Sequence, residues 1–335
     1  MTLETVWFCI IVAFWLGYLF LEGFDFGVGM LLPILGRDNT ERRVMINTIG
    51  PVWDGNEVWL IVAAGAMFAA FPGWYASLFS GAYLPLVFVL LALIGRGVAF
   101  EYRGKVDSER WRRTWDRVIM VGSWIPPLGV GLVLTTTVLG LPLDEHGNRV
   151  GSAFAAIRWD TALGALAVVG FSLVHGAAFL VLKTGGEVRA RARRLAIRIL
   201  PVALAPLVAL LVIVQLREGA LWTIVPLAGA ILAALLAWYR LAADRDGQAF
   251  AALGVTIAAA VVTLFGALYP DVLPSTVDPA NSLTVAGAAS SHYTLQVITW
   301  VGGFGAPAVL IYQGWTYWVF RKRISTSQIP PVHTP

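Results

Sequence analysis

The stretch that decides the fold class is Ser77–Phe100, SLFSGAYLPLVFVLLALIGRGVAF, whose 24 residues include a single charged side chain. Similar apolar runs recur along the chain, whereas a membrane-spanning β-strand needs an alternating pattern of about ten residues. In hydrocarbon the backbone groups must pair within helices or closed barrels, so these long runs predict transmembrane helices. The whole chain agrees, because 58% of its 335 residues are hydrophobic and only 13% are charged.

The runs predict an all-α polytopic membrane protein with nine transmembrane helices. The predicted spans are Val6–Leu35, Trp53–Phe71, Ser77–Phe100, Val118–Leu141, Trp159–Leu182, Leu195–Leu216, Leu221–Tyr239, Ala249–Leu268 and Leu295–Phe320. Only Arg217, Glu218 and Gly219 interrupt the apolar stretch that holds the sixth and seventh spans, and one helix over both would overshoot the bilayer, so we predict a hairpin there. The connection from about Tyr269 to Tyr293 contains three prolines and no Lys or Arg, which predicts either an ordered cap or a flexible loop.

The distribution of Lys and Arg predicts the orientation. Of the 24 basic residues, 20 lie in alternate connections or in the C-terminal tail. Cytoplasmic loops carry such an excess, so we expect the N-terminus outside and the C-terminus in the cytoplasm. The same pattern accounts for the net charge of +4 through topology, and nucleic acid is not an expected partner.

Two pairs of acidic residues fall within or beside predicted spans. Glu22 and Asp25 are three residues apart on the first span, and Asp54 and Glu57 have the same spacing at the start of the second, which puts each pair on one helix face. With the predicted orientation, all four lie in the cytoplasmic half of adjacent helices. Because ionisable groups at that depth tend to be paired or functional, we interpret them as a proton path from the cytoplasm. For Asp54 and Glu57, a favourable charge at a helix N-terminus is the alternative.

Two other features of the spans receive a structural interpretation. Arg96 and Glu101 close the third span, where an ion pair or snorkelling to the headgroups would explain them. Gly23 and Gly27 form a GxxxG pattern, which allows another helix to approach closely.

The sequence offers little for a cofactor or a metal. Of the four histidines, His146, His292 and His333 lie in connections or near chain ends, and only His175 is in mid-membrane. We interpret His175 as a hydrogen-bonded core residue; ligation of one haem face, with Met30 or Met67 as partner, is the alternative. The single Cys9 can form no internal disulfide. We therefore expect no metal, no haem and no catalytic residue in this chain.

Several motifs resemble subunit II of the cytochrome bd quinol oxidases. The segments that carry the resemblance are Gly23–Met30 (GFDFGVGM), Asn39–Asn47 (NTERRVMIN), Trp53–Leu60 (WDGNEVWL), Phe100–Arg103 (FEYR), Arg110–Arg112 (RWR), Ser282–Thr284 (SLT) and Leu295–Trp300 (LQVITW). The similarity extends from about Leu19 to Phe320, and it is most specific in the first hundred residues.

The resemblance implies a fold and a role. It implies one membrane domain over residues 1–335, with four-helix bundles at 1–141 and 159–268 and a ninth helix at 295–320. It implies a heterodimer with a subunit I that carries the quinol site, two haems b and one haem d. Such a complex oxidises quinol and reduces oxygen to water, with protons taken from the cytoplasm and no pumping. Asp25 and Asp54 match the family's proton-path aspartates, and a structural quinone or lipid is an expected further ligand.

Two other functions remain open at this point. A proton-coupled secondary transporter also needs membrane carboxylates, although transporters tend to show repeated halves with broken helices, which this sequence does not display. The other is an assembly protein in which the acidic pairs only dock subunit I.

Overall fold

The computed structural model describes residues 1–152 and 154–329, and His333 lies outside them. Within these residues the regular secondary structure is helical apart from one two-stranded sheet. The α-helices are α1 (Leu3–Leu35), α2 (Asn39–Ile49), α3 (Trp53–Ala70), α4 (Pro72–Gly81), α5 (Tyr83–Tyr102), α6 (Glu109–Leu139), α7 (Trp159–Lys183), α8 (Gly186–Glu218), α9 (Ile224–Ala242), α10 (Asp246–Leu268) and α11 (His292–Val319). The strands β1 (Asp271–Leu273) and β2 (Leu283–Thr284) pair antiparallel.

Eight helices of the described residues are long and apolar enough to cross a membrane. They correspond to the first and the third to ninth predicted spans, which confirms a polytopic all-α fold. The predicted second span forms α3, which has 18 residues and carries Asp54, Asn56 and Glu57 near its start. This helix is not among the eight, so a count of nine spans stays a prediction.

The boundary of the third span was wrong. The predicted helix from Ser77 is broken, because α4 ends at Gly81 and α5 begins at Tyr83. Pro85 has no N–H, and its ring would clash with the carbonyl four residues earlier in a continuous helix. The helix therefore restarts with Pro85 in the first turn of α5, and the Ala82 amide donates to Leu78 O at 2.9 Å at the end of α4.

The predicted hairpin is confirmed. Helix α8 ends at Glu218, a short 3₁₀ turn covers Leu221–Thr223, and α9 then begins at Ile224. At its other end α8 starts nine residues before the predicted span, at Gly186. Its first turns therefore hold the arginines that we placed in a loop.

The connections collect on two opposite ends of the bundle. We call one end the basic face; it holds the end of α1 and the starts of α8 and α10. There Arg191 Nη2 of α8 donates to Leu35 O of α1 at 3.0 Å. Arg323 Nη2, from the segment after α11, donates to Asp246 Oδ2 of α10 at 2.7 Å. Between α9 and α10, hydrogen bonds from Arg193 and Arg189 hold the pKa of Asp244 below its ordinary value. The basic face thus ties the segment after α11 to the bundle.

The other end, the strand face, carries a folded cap. The Leu141 amide donates to Pro274 O at 3.0 Å, and the Ser290 amide donates to Ala70 O at 2.8 Å. Together with the β1–β2 pair, these bonds tie the connection after α10 to those after α3 and α6. The segment from Tyr269 to Tyr293 is therefore an ordered cap, one of the two predicted alternatives.

Helices α1 and α7 approach each other closely at two glycines. A Cβ on Gly27 would lie 1.9 Å from the carbonyl oxygen of Ser172 and 2.7 Å from Cα of Gly176. Real atoms cannot be that close, so only glycine fits at this crossing. The close approach expected from the GxxxG pattern is confirmed at Gly27, and it sets the position of Asp25 one half-turn earlier on α1.

Candidate functional site

The acidic residues of α1 meet polar residues of two other helices inside the bundle. We call Glu22, Asp25, Asn56, Glu57 and Arg96 the carboxyl cluster. Glu22 and Asp25 share one face of α1, Asn56 and Glu57 lie near the start of α3, and Arg96 comes from α5. All are buried except Glu57, whose side chain is 20% exposed.

Arg96 lies at the centre of the cluster. Its Nη1 donates to Glu22 Oε1 at 2.7 Å and to Glu57 Oε1 at 2.6 Å. The guanidinium also lies 5.0 Å from the ring centroids of Phe26 and of Phe100, a favourable cation–π distance. The side chain is fully buried and ion-paired, so of the two alternatives for Arg96 the ion pair is confirmed and snorkelling is wrong. Glu101 is exposed.

Asp25 is held by an amide rather than by a cation. Asn56 Nδ2 donates to Asp25 Oδ2 at 2.5 Å. The Asn56 Oδ1 accepts from Tyr317 Oη at 2.7 Å and from Gln313 Nε2 at 3.2 Å. Helix α11 thus contributes two residues to the surroundings of Asp25, although no feature of its sequence had suggested a role.

Several buried polar atoms of the cluster have no partner among the described residues. They are Glu22 Oε2, Asp25 Oδ1, the Nε and Nη2 of Arg96, and the hydroxyl of the neighbouring Tyr18. Buried polar atoms in proteins are almost always hydrogen-bonded to protein or to water. These atoms therefore offer hydrogen-bonding positions for water between α1, α3 and α5.

Asp54 lies apart from the cluster. It is exposed in the first turn of α3, which fits the helix N-terminus alternative as well as a functional role. It lines a groove of about 270 Å³ between α3 and α11, together with Gln313 and Tyr317. These two residues also contact Asn56, so they connect the lining of the groove to the residue that holds Asp25.

His175 has the surroundings of a core residue. Its Nε2 lies 3.1 Å from Phe20 O, and its ring stacks on Phe250 and Phe171 at centroid distances of 4.5 and 4.9 Å. The predicted hydrogen bond is thus confirmed. In this arrangement Nε2 is paired with a backbone carbonyl, and Met67 Sδ accepts from Trp15 Nε1 at 3.4 Å. The described part of the chain contains no group of three or more potential metal ligands.

Sequence reasoning found the carboxylates but missed their partners. Arg96 was the only basic residue well inside a predicted span, since Arg198 lies in the first turn of the sixth, and that isolation could have indicated a counter-ion for Glu22 and Glu57. Asn56 sits between the two acidic residues of the second pair, so its position offered a weaker signal. Tyr317 and Gln313 gave none, because their role depends on how α11 packs.

The fold and the cluster define a class of protein, a multi-pass membrane protein with ionisable groups buried inside its helix bundle. The family model for cytochrome bd terminal oxidase subunit II matches residues 3–320, and the chain belongs to this family.

Named relatives and a solved structure agree with that assignment. The chain is 43% identical to cytochrome bd ubiquinol oxidase subunit 2 of Bacillus subtilis, over 97% of each chain. It is 35% identical to cytochrome bd-I ubiquinol oxidase subunit 2 of Escherichia coli K12, over 98% of this chain and 96% of the relative. The bd oxidase structure from Geobacillus thermodenitrificans aligns with a TM-score of 0.75 at 20% identity, over 95% of this chain and 97% of that one, which shows the same fold.

Membership of the family establishes the general role. The chain is a subunit of a bacterial terminal oxidase, an oxidoreductase complex of the respiratory membrane. As a second subunit it implies a partner, subunit I, and a cytochrome complex depends on haem. A proton-coupled transporter is not favoured by these relationships.

Proposed function

We propose that this chain provides part of the proton uptake path of a quinol-oxidising bd oxidase, through Asp54, Asp25, Glu22 and Glu57. In this proposal the partner subunit I binds the haems b and d and the quinol. Electrons from quinol reduce oxygen to water there, and the protons that the water needs come from the cytoplasm. This chain holds and passes those protons and is not catalytic alone.

The charge balance of the carboxyl cluster carries the proposal. Glu22 and Glu57 pair with one guanidinium, that of Arg96, and Asp25 is the third carboxyl group of the cluster, bonded to Asn56. If all three were ionised, the cluster would have two uncompensated negative charges. Each charged side chain near the middle of a bilayer costs about 3 kcal/mol or more, so the cluster is a favourable place to bind protons.

The route runs from the basic face inward. Asp54 is exposed at the groove and can exchange protons with water. From there the groove extends along Gln313 and Tyr317 toward Asn56. The unpartnered atoms of Asp25 and Glu22 suit water molecules that connect them. Glu57, the one partly exposed member, is the natural point of transfer to subunit I.

The direction of uptake depends on the topology. We propose nine spans, with α3 as the second, because α3 packs between α1 and α11 and its polar residues face the cluster. The basic face, with its excess of Lys and Arg, is then cytoplasmic, and the strand face and the N-terminus are outside.

We retain the two bundles, 1–141 and 159–268, and the ninth helix, 295–320, as the proposed organisation of the single membrane domain. A structural lipid or quinone, as the family resemblance implies, is also part of the proposal.

The test compares Asp25→Asn and Asp54→Asn with Asp278→Asn, which changes an exposed aspartate of the strand face. Each variant is purified with subunit I, and quinol-driven oxygen consumption is measured beside the haem spectrum. We expect the first two to lower turnover strongly while the haem spectrum stays intact, because asparagine cannot carry the proton.

Two results would contradict the proposal. Full turnover in both Asp25→Asn and Asp54→Asn would reject a proton role. Loss of subunit I from the variants, with normal turnover in whatever complex remains, would instead favour a docking role for the acidic pairs.

A further inference from the structure

A chain of hydrogen bonds runs from α3 to α11, returns to α3 and ends at Asp25 on α1. Trp59 Nε1 donates to Gln313 Oε1 at 2.9 Å. Gln313 Nε2 donates to Asn56 Oδ1 at 3.2 Å, and Asn56 Nδ2 donates to Asp25 Oδ2 at 2.5 Å. Asn56 Nδ2 also lies 3.4 Å from Leu21 O.

The direction of this chain is set by chemistry. An indole N–H can only donate, so the atom of Gln313 next to Trp59 must be its amide oxygen. Gln313 then presents its NH₂ group to Asn56, which fixes the oxygen of Asn56 toward Gln313. The NH₂ group of Asn56 is left to face Asp25, and Tyr317 Oη reinforces this arrangement by donating to the same Asn56 oxygen at 2.7 Å.

The two oxygens of Asp25 consequently differ. Oδ2 receives a permanent donor, whereas Oδ1 is buried and has no partner among the described residues. Amide and indole groups do not ionise in the physiological range, so Trp59, Gln313 and Asn56 cannot relay protons themselves.

We propose that Asn56, oriented by Trp59 through Gln313 and by Tyr317, is a positioning residue that makes Oδ1 the oxygen through which Asp25 exchanges its proton. This inference rests on the proposed proton role of Asp25. It adds α11 to the determinants of the path, since two of the orienting side chains come from that helix.

The test uses the complex with subunit I and two readouts, quinol-driven oxygen consumption and the redox-difference infrared spectrum. The carboxyl C=O band of Asp25 is the band lost in Asp25→Asn. In Asn56→Ala we expect turnover to fall about tenfold, the effect of roughly one charge-assisted hydrogen bond, and the band to move to higher frequency because the carbonyl loses its donor. A residue that only supported the fold would not move this band.

Two milder variants keep the test decisive if Asn56→Ala does not assemble. Trp59→Phe and Tyr317→Phe each remove one donor and keep an aromatic ring, so we expect smaller shifts of the same band in the same direction. Tyr293→Phe, an exposed position in the first turn of α11, is the matched control and should leave both readouts unchanged.

The outcomes separate this inference from the proposed function. An unchanged band and turnover in Asn56→Ala, or an unchanged band in both milder variants, would overturn the positioning role even if Asp25→Asn is inactive. Full turnover in Asp25→Asn would overturn the proton role, and with it the inference.

Discussion

Arg96 Nη1 on α5 lies 2.7 Å from Glu22 Oε1 on α1, and both side chains are completely buried. The two residues are 74 positions apart in sequence, so their contact exists only in the folded bundle. Glu57 on α3 binds the same nitrogen at 2.6 Å. The Arg96 guanidinium thus connects three helices. It binds both Glu22 and Glu57, two carboxyl groups that the sequence analysis predicts to belong to one proton path.

Replacing Arg96 tests this connection. Arg96→Met removes the positive charge and keeps much of the apolar volume, which leaves Glu22 and Glu57 without their counter-ion. Removal of one partner from a buried ion pair typically costs about 3–5 kcal/mol, so we expect a lower unfolding temperature and a lower yield of assembled complex. Thermal unfolding followed by size-exclusion chromatography measures both. Arg240→Gln, which changes a half-buried arginine in the last turn of α9, is the control; equal effects of the two variants would contradict the prediction.

A second prediction concerns the stability of the crossing between α1 and α7 at Gly27. In Gly27→Ala the new Cβ would meet the Ser172 carbonyl, so α1 and α7 must separate. Overpacking of this kind costs about 1–3 kcal/mol, and we expect thermal stability of the complex to fall accordingly. Gly247→Ala is the matched control, because a Cβ there meets no atom of the described chain within 4 Å. A Gly27→Ala complex as stable as the control would show that the crossing tolerates a side chain.

A third prediction concerns His175 and haem. His175→Phe keeps a ring of similar shape between Phe250 and Phe171 and loses the hydrogen bond to Phe20 O. We expect a small loss of stability, about 1 kcal/mol, and an unchanged haem content in the purified complex. Quantitative haem extraction and the reduced-minus-oxidised spectrum measure this. Loss of one haem per complex, absent from a His292→Phe control, would mean that His175 is a ligand after all.

Local sequence patterns predicted much of the fold. Long apolar runs require helices in lipid regardless of their neighbours, so α1 and α6 to α11 were located within a few residues, apart from the early start of α6 and α8. The helix boundaries were wrong where another property of the residues outweighed the length of the apolar run. Pro85 interrupts an apolar run that looks continuous, and the arginines at the start of α8 extend the helix beyond the apolar segment, since basic side chains are compatible with helix.

For the site, local spacing was enough to assign Glu22, Asp25, Asp54 and Glu57 to faces of α1 and α3, because residues three apart share a face. What those faces contact depends on how the helices pack in three dimensions. Arg96 became a buried counter-ion, Asn56 became the partner of Asp25, and Gln313 and Tyr317 joined them from the far end of the chain. The physical reason is that helix formation depends on neighbours in sequence, whereas pairing of buried charges depends on which helices pack together.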